Sequence, residues 1–150
     1  DIYNHPNNVF VAGFIGSPAM NFLDVVLKKE GEVYSIDAQT FKMDIPAEKA
    51  ASIKNIGNYV NKQVILGIRP EDIEDASIVG DDPRFSLMEA AVDVTEPMGA
   101  EVNAYFSSGE NTFIARLDAT TTAKDGSVLK VGFNMGKIHL FDKDTEEVIR

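Results

Sequence analysis

From Asn21 onward, apolar and polar residues alternate with a period of two, the spacing of a strand with one face in a core. Leu23, Val25 and Leu27 share a face, Gly31 breaks the run, and Phe41, Met43 and Ile45 form a second set opposite Lys42 and Asp44. Val64 to Ile68 reads as a compact apolar strand closed by Arg69-Pro70. The second half repeats this grammar. Met88, Ala90, Val92 and Val94 alternate with Glu89, Ala91, Asp93 and Thr95 until Pro97 and Gly99, where the chain must bend. Val102, Ala104 and Phe106 precede the turn Ser107-Ser108-Gly109, and Phe113, Ala115 and Leu117 follow it. Leu129, Val131 and Phe133 come after Asp125-Gly126, and Ile138 and Leu140 after Gly136. The pattern predicts roughly nine short strands.

Two stretches depart from this period. Pro6 suits a first helical turn, Phe10 and Phe14 recur at i, i+4 beside Val11 and Ile15, and Gly16 with Pro18 supplies a stop, so a short helix is expected over about residues 7–15. Pro46, the alanines at 47, 50 and 51, and Gly57 mark a second helical turn. Short strands about ten residues apart favour a closed or nearly closed barrel, because closure removes edges that would pair with other chains. The expectation is a mainly β fold: a pair of small OB-like barrels, intertwined over residues 21–150 and dividing at about 21–85 and 86–150, behind a helical segment 1–20.

Composition agrees. The 150 residues include 14 Val and 13 Ile against 7 Leu, a β-branched excess that suits pleated surfaces. With 14 basic against 24 acidic side chains the net charge is −10, which opposes tracking a phosphate backbone and argues against nucleic acid as a partner. Cysteine is absent, which removes disulfides, thiolate zinc sites and cysteine nucleophiles and points modestly to a reducing cytoplasm. No apolar run approaches the ~20 residues of a membrane-spanning helix, and Asp1 to His5 lacks the basic flank of a signal peptide.

Candidate chemistry is sparse. Gly136-Lys137-Ile138 lacks the upstream glycine and the hydroxyl of a phosphate-binding loop. His5 and His139 are far apart in sequence, and alternation turns His139 away from the core. The acidic pairs Glu71-Asp72, Glu74-Asp75 and Asp81-Asp82 read as solvated turns rather than an acid and base. Asp142-Lys143-Asp144 opens like a calcium loop, but Glu147 stands where glycine is needed, leaving a turn. Phe106, Phe113, Phe133 and Phe141 are expected mostly in the core rather than as a base-stacking platform. No catalytic, cofactor-binding or metal-ligating residue emerges.

Three runs resist a purely structural account: Gly13 to Leu23, Leu66-Gly67-Ile68-Arg69-Pro70-Glu71, and Thr95 to Glu101. A buried Arg69 needs an anionic or carbonyl partner, and Glu96 or Glu101 is a candidate across the barrels. In this order the runs resemble the C-terminal regulatory domain of ATP-binding subunits from carbohydrate ABC importers of the maltose and multiple-sugar type. The likeness covers essentially the whole chain. It includes Asn4-His5-Pro6 with Val11 to Gly16, Leu66 to Glu71, Glu96-Pro97-Met98-Gly99-Ala100-Glu101, and His139-Leu140-Phe141-Asp142, with Met98 where leucine is usual.

The resemblance implies a pair of OB-like barrels, the second a transport-associated OB (TOBE) domain, joined by residues 1–20 to an ATPase half absent here. It implies no enzyme activity and no cofactor in this piece, ATP and Mg belonging to that other half. Expected partners are a second copy or a paralogous ATPase subunit, permease subunits reached through the ATPase domain, and a possible phosphotransferase-system regulator, at the cytoplasmic face of the membrane. By the same resemblance Phe22 and Gly67 match positions associated with a docked regulator, and Glu96, Gly126, Gly132 and Phe141 match the dimer and regulatory surface. Two other classes compete: a TOBE-type module sensing an oxyanion or sugar, and a hydrolase using paired carboxylates.

Overall fold

The computed structural model describes residues 7–9 and 19–150. The helix expected over about residues 7–15, and with it most of the linker segment 1–20, lies outside the described residues. Among the described residues ten strands form two five-stranded antiparallel sheets. The first contains β1 (Asn21–Glu30), β2 (Val33–Asp37), β3 (Lys42–Asp44), β4 (Gln63–Ile68) and β10 (His139–Asp142), in the order β10-β4-β1-β2-β3. The second contains β5 (Ile73–Asp75), β6 (Phe85–Pro97), β7 (Glu101–Ser108), β8 (Asn111–Asp118) and β9 (Val128–Asn134), in the order β5-β9-β6-β7-β8. Two short helices, α1 (Ala47–Ala51) and α2 (Ala76–Val79), fill connections.

The period-two pattern explains which faces are buried. Leu23, Val25 and Leu27 of β1 meet Val64 and Leu66 of β4 in the core, while Phe22 and Asp24 face outward. The expected set Phe41, Met43 and Ile45 also points inward, Met43 and Ile45 fully and Phe41 in part. One continuous core runs through both sheets. It is tied by aromatic contacts: Phe106 stacks on Phe113 at 5.1 Å and 13°, Phe113 meets Phe133 edge-on at 5.2 Å, and Phe41 reaches Phe133 at 6.1 Å. Such pairs add about 0.5–1.5 kcal/mol each beyond area burial. All four phenylalanines weighed as a stacking platform are buried.

Alternation fails over residues 64–68 of β4 and 131–134 of β9, which are buried throughout, and again within β6. The β6–β7 register shifts between Val92 and Val94, so Asp93 is an extra residue in a β-bulge. Met88, Ala90 and Val92 stay buried, but Val94, expected to continue their face, is turned out to solvent.

Two crossovers carry the chain between sheets: residues 69–72 lead from β4 to β5, and residues 135–138 lead back from β9 to β10. They lie side by side, because β10 pairs with β4 and sets His139 opposite Gly67. At the opposite edge the sheets are joined by a side chain. Asn21 donates from Nδ2 to the Ile114 carbonyl at 2.8 Å and accepts from the Ile114 N–H at 2.8 Å, so one carboxamide satisfies both backbone groups of an edge residue. The second sheet curls until its own edges approach, and Glu74 of β5 accepts from the Asp118 N–H of β8 at 3.2 Å. The barrel is thus stitched by a carboxylate where a ladder bond would otherwise stand.

Candidate regulatory surface

Gly67 is closely covered on the first sheet's outer face. A Cβ there would lie 2.7 Å from Met20 Sδ and 2.8 Å from Phe141 Cε2, so only glycine fits. Phe22 is its register partner on β1, and Phe22 meets Phe141 edge-on at 6.0 Å. Met20, Ile65 and Phe141 form a small buried cluster here, with Phe22, Val9 and Val148 packed around it. Three of the positions singled out by resemblance, Phe22, Gly67 and Phe141, therefore pack together, but Gly67 and Phe141 are buried and only Phe22 reaches the surface in part.

Of the other three, Glu96 and Gly132 lie on β6 and β9 of the second sheet and Gly126 in the turn before β9. Glu96 is exposed near the end of β6, and Tyr105 donates to it at 3.5 Å. Gly126 lies beside it: Asp125 accepts from the Thr95 N–H at 2.8 Å and Gly126 donates to the Val92 carbonyl at 2.8 Å. Gly126 has φ +80°, a left-handed conformation that turn geometry alone accounts for. Gly132 pairs with Leu87 on the outer face, where a Cβ would come within 3.1 Å of the Leu87 side chain and 3.2 Å of Phe85. Around these positions Leu87 is 46% exposed on β6 and Val128 64% on β9, with the Glu89–Lys130 pair between them, and Met98 is 58% exposed in the β6–β7 turn.

Arg69 is 5% exposed and begins the turn Pro70–Asp72. Glu96 and Glu101, its candidate partners, are both exposed on the β6–β7 hairpin. The acidic group whose titration registers the Arg69 charge is Asp72.

The acidic pairs are not all solvated turns, which corrects the expectation for Glu74-Asp75. Asp75 is buried; its Oδ1 accepts from the Ser77 N–H and hydroxyl at 2.9 and 2.8 Å, capping α2, and its Oδ2 accepts from the Thr121 hydroxyl at 2.6 Å. Burial alone would raise the Asp75 carboxyl, but the bonds from Thr121 and Ser77 outweigh it and hold the carboxyl below its usual value. Glu74 goes the other way, raised chiefly by burial although the Asp75 and Asp118 N–H groups pull against it. Asp72 is pushed up to about 6, by burial first and the neighbouring Glu71 second, with Lys137 and Arg69 partly opposing. Asp82, by contrast, sits in an exposed turn with Arg84. An apolar-patterned sequence scan misses β5 because its two acids look like turn residues; the flanking buried Ile73 is the only local signal.

The raised Asp72 value fixes a pH dependence. Its proton is held more tightly in the folded chain than in the unfolded one, so stability falls as pH rises from about 4 through about 6 and stays reduced above. Asp72→Asn removes that slope. The expected result is a melting temperature above wild type at neutral pH that converges with wild type near pH 4, followed by circular dichroism.

Residues 66–141 match the TOBE domain, just over half the chain, and residues 16–73 match the MalK OB fold domain. The chain belongs to the TOBE domain family. TOBE relatives include the oligosaccharides import ATP-binding protein MsmX of Bacillus subtilis, 41% identical over 100% of this chain. They also include the multiple sugar-binding transport ATP-binding protein MsmK of Streptococcus mutans, 41% identical over 100%, and the trehalose/maltose import ATP-binding protein MalK of Thermococcus litoralis, 37% identical over 99%. The chain spans about 40% of the length of these relatives. It corresponds to their OB and TOBE portion, without the ATPase portion. The same fold appears in the cytoplasmic molybdate-binding protein ModG, with a TM-score of 0.55 at 11% identity, over 80% of this chain and 94% of that one. The mainly β, paired OB-like architecture expected from the alternation and the resemblance is the one these matches share. No helix among the described residues is long and apolar enough to cross a membrane.

Proposed function

We propose that this chain is the non-catalytic regulatory and dimerisation domain of the ATP-binding subunit of a sugar ABC importer, holding two ATPase subunits together and receiving regulatory proteins. The observation that carries this reading is that importer ATP-binding proteins match the chain end to end at 37–41% identity while extending far beyond it. In that reading ATP and Mg act in the remainder of the subunit, which also meets the permease subunits, and the whole lies at the cytoplasmic face of the membrane. A domain pairing with its counterpart keeps the two ATPase halves at high effective concentration while they open and close. A protein that binds one arrangement better than the other biases the cycle by shifting that population.

Two features support the division of labour. The outer face of the second sheet, around Gly132 and Gly126, carries the exposed Leu87 and Val128 and suits pairing with a second copy or a paralogous subunit. Partly exposed Phe22, held over the buried Gly67 and Phe141, is the part of the first sheet's outer face offered to a docked regulator, a phosphotransferase-system component among the candidates. Sedimentation equilibrium tests the first. The chain is expected to dimerise reversibly, more strongly at higher salt because each copy carries −10, and Leu87→Glu is expected to abolish the dimer without lowering the melting temperature. A monomer at every concentration and salt would remove the holding role.

The pairing of Arg69 with Glu96 or Glu101 is part of the same proposal. Arg69→Ala is expected to lower the melting temperature, since it removes a buried guanidinium with its bonds and the packing of its stem. A double-mutant cycle with each glutamate identifies the partner: strict additivity with both would exclude them.

A further inference from the structure

Where the outer faces of the two sheets meet beside Asn21, the surface dips into a groove of about 430 Å³. Phe106 and Phe113, both buried in the core, form its floor; Phe22 and Tyr105 stand as walls; Asp93 and Thr112 form the rim. The volume lies within the range of small-molecule sites, about 300–1,000 Å³, and a boundary between two barrels is a usual place for one.

The bulge in β6 makes the groove chemically specific. Without it Asp93 would be one more outward residue in a regular ladder; the extra residue re-aims that carboxylate, as bulges beside functional sites do. Ser107 Oγ donates to Asp93 Oδ1 at 3.1 Å, which orients the carboxylate and leaves acceptor capacity on it. Among the described residues Asp93 is the only charged one lining the groove. An anion therefore meets no cation there and one repelling charge. The walls offer aromatic surface, and the rim offers a strong acceptor and a hydroxyl that both donates and accepts.

Those demands are met by a neutral molecule with several hydroxyls and an apolar ring face. We propose that this groove is a binding site for a neutral saccharide, whose hydroxyls are taken by Asp93 and Thr112 and whose ring face lies on Phe22 and Tyr105. The site goes beyond the dimerising and regulator-receiving role and does not depend on it. It gives the domain a means of responding to a small molecule at the point where its barrels join.

The test is titration of the 15N-labelled chain with glucose, maltose, trehalose and raffinose, each up to about 50 mM so that affinities weaker than millimolar still register. Expected are amide shifts confined to the groove, at Tyr105, Thr112 and Ile114, from at least one of the four sugars. Asp93→Ala is expected to weaken that binding about tenfold or more, since it removes a charge-assisted acceptor. Thr112→Val should weaken it less, and both variants, being exposed changes, should keep the wild-type melting temperature. Absence of groove shifts with all four sugars overturns the proposal, as do shifts undiminished in both variants. Groove shifts produced by N-acetyl-arginine amide and by no sugar overturn it as well, assigning the groove to a cationic ligand. Any of these results leaves the sedimentation test of dimerisation unaffected.

Discussion

Asn21→Ala is expected to destabilise the chain by about 2–4 kcal/mol in urea unfolding, because it orphans two partly buried backbone groups at once. The Ile114 N–H and carbonyl both point away from β7 and are satisfied by the one carboxamide. Removing it strands a donor and an acceptor at the seam between sheets, each costing about 1–3 kcal/mol when unmade. Asn21→Asp separates the two. The carboxylate still accepts from Ile114 N–H but faces its carbonyl with negative charge, so it should be destabilising at neutral pH and recover toward wild type once protonated. Asn21→Leu keeps the volume and loses both bonds; if it were as stable as wild type, the seam would be held by packing alone.

The second large effect is expected at Gly67. Gly67→Ala places a methyl 2.8 Å from a ring atom of Phe141, which is fully buried and cannot swing away, and 2.7 Å from the more flexible Met20 thioether. Overpacking of this kind costs about 1–3 kcal/mol. Phe141→Leu alone is also destabilising, but the double variant should recover part of the loss, since leucine vacates the position the methyl needs. That non-additivity, measured by chemical denaturation, distinguishes a local clash from a general weakness of β4.

Much of this fold was legible in the alternation. Leu23, Val25 and Leu27, or Met88, Ala90 and Val92, announce strand and buried face together, because a period of two has only one way to fill a core. What escaped was whatever depends on partners distant in sequence. Nothing local marks Asp93 as an extra residue; only the opposing strand β7 defines the bulge and turns Val94 outward. β5 was hidden because Glu74 and Asp75 look like turn acids until Asp118 and Thr121, more than forty residues on, supply their hydrogen bonds. Asn21 reads as a strand's polar first residue, and its partner lies 93 residues away. The candidate positions came from resemblance rather than pattern, and the fold sorts them into a packed set of three on the first sheet and three on or beside the second.

The two crossovers also set an order of assembly. During synthesis the strands β1 to β4 are made before the second sheet, yet their own sheet lacks its outermost member until residues 139–142 have followed that whole sheet out. In that interval the open flank of β4, with Ile65 and Gly67 bare of Phe141, is the part of the nascent chain most exposed to mispairing. The pairing of β10 with β4 is the latch that ends that vulnerability.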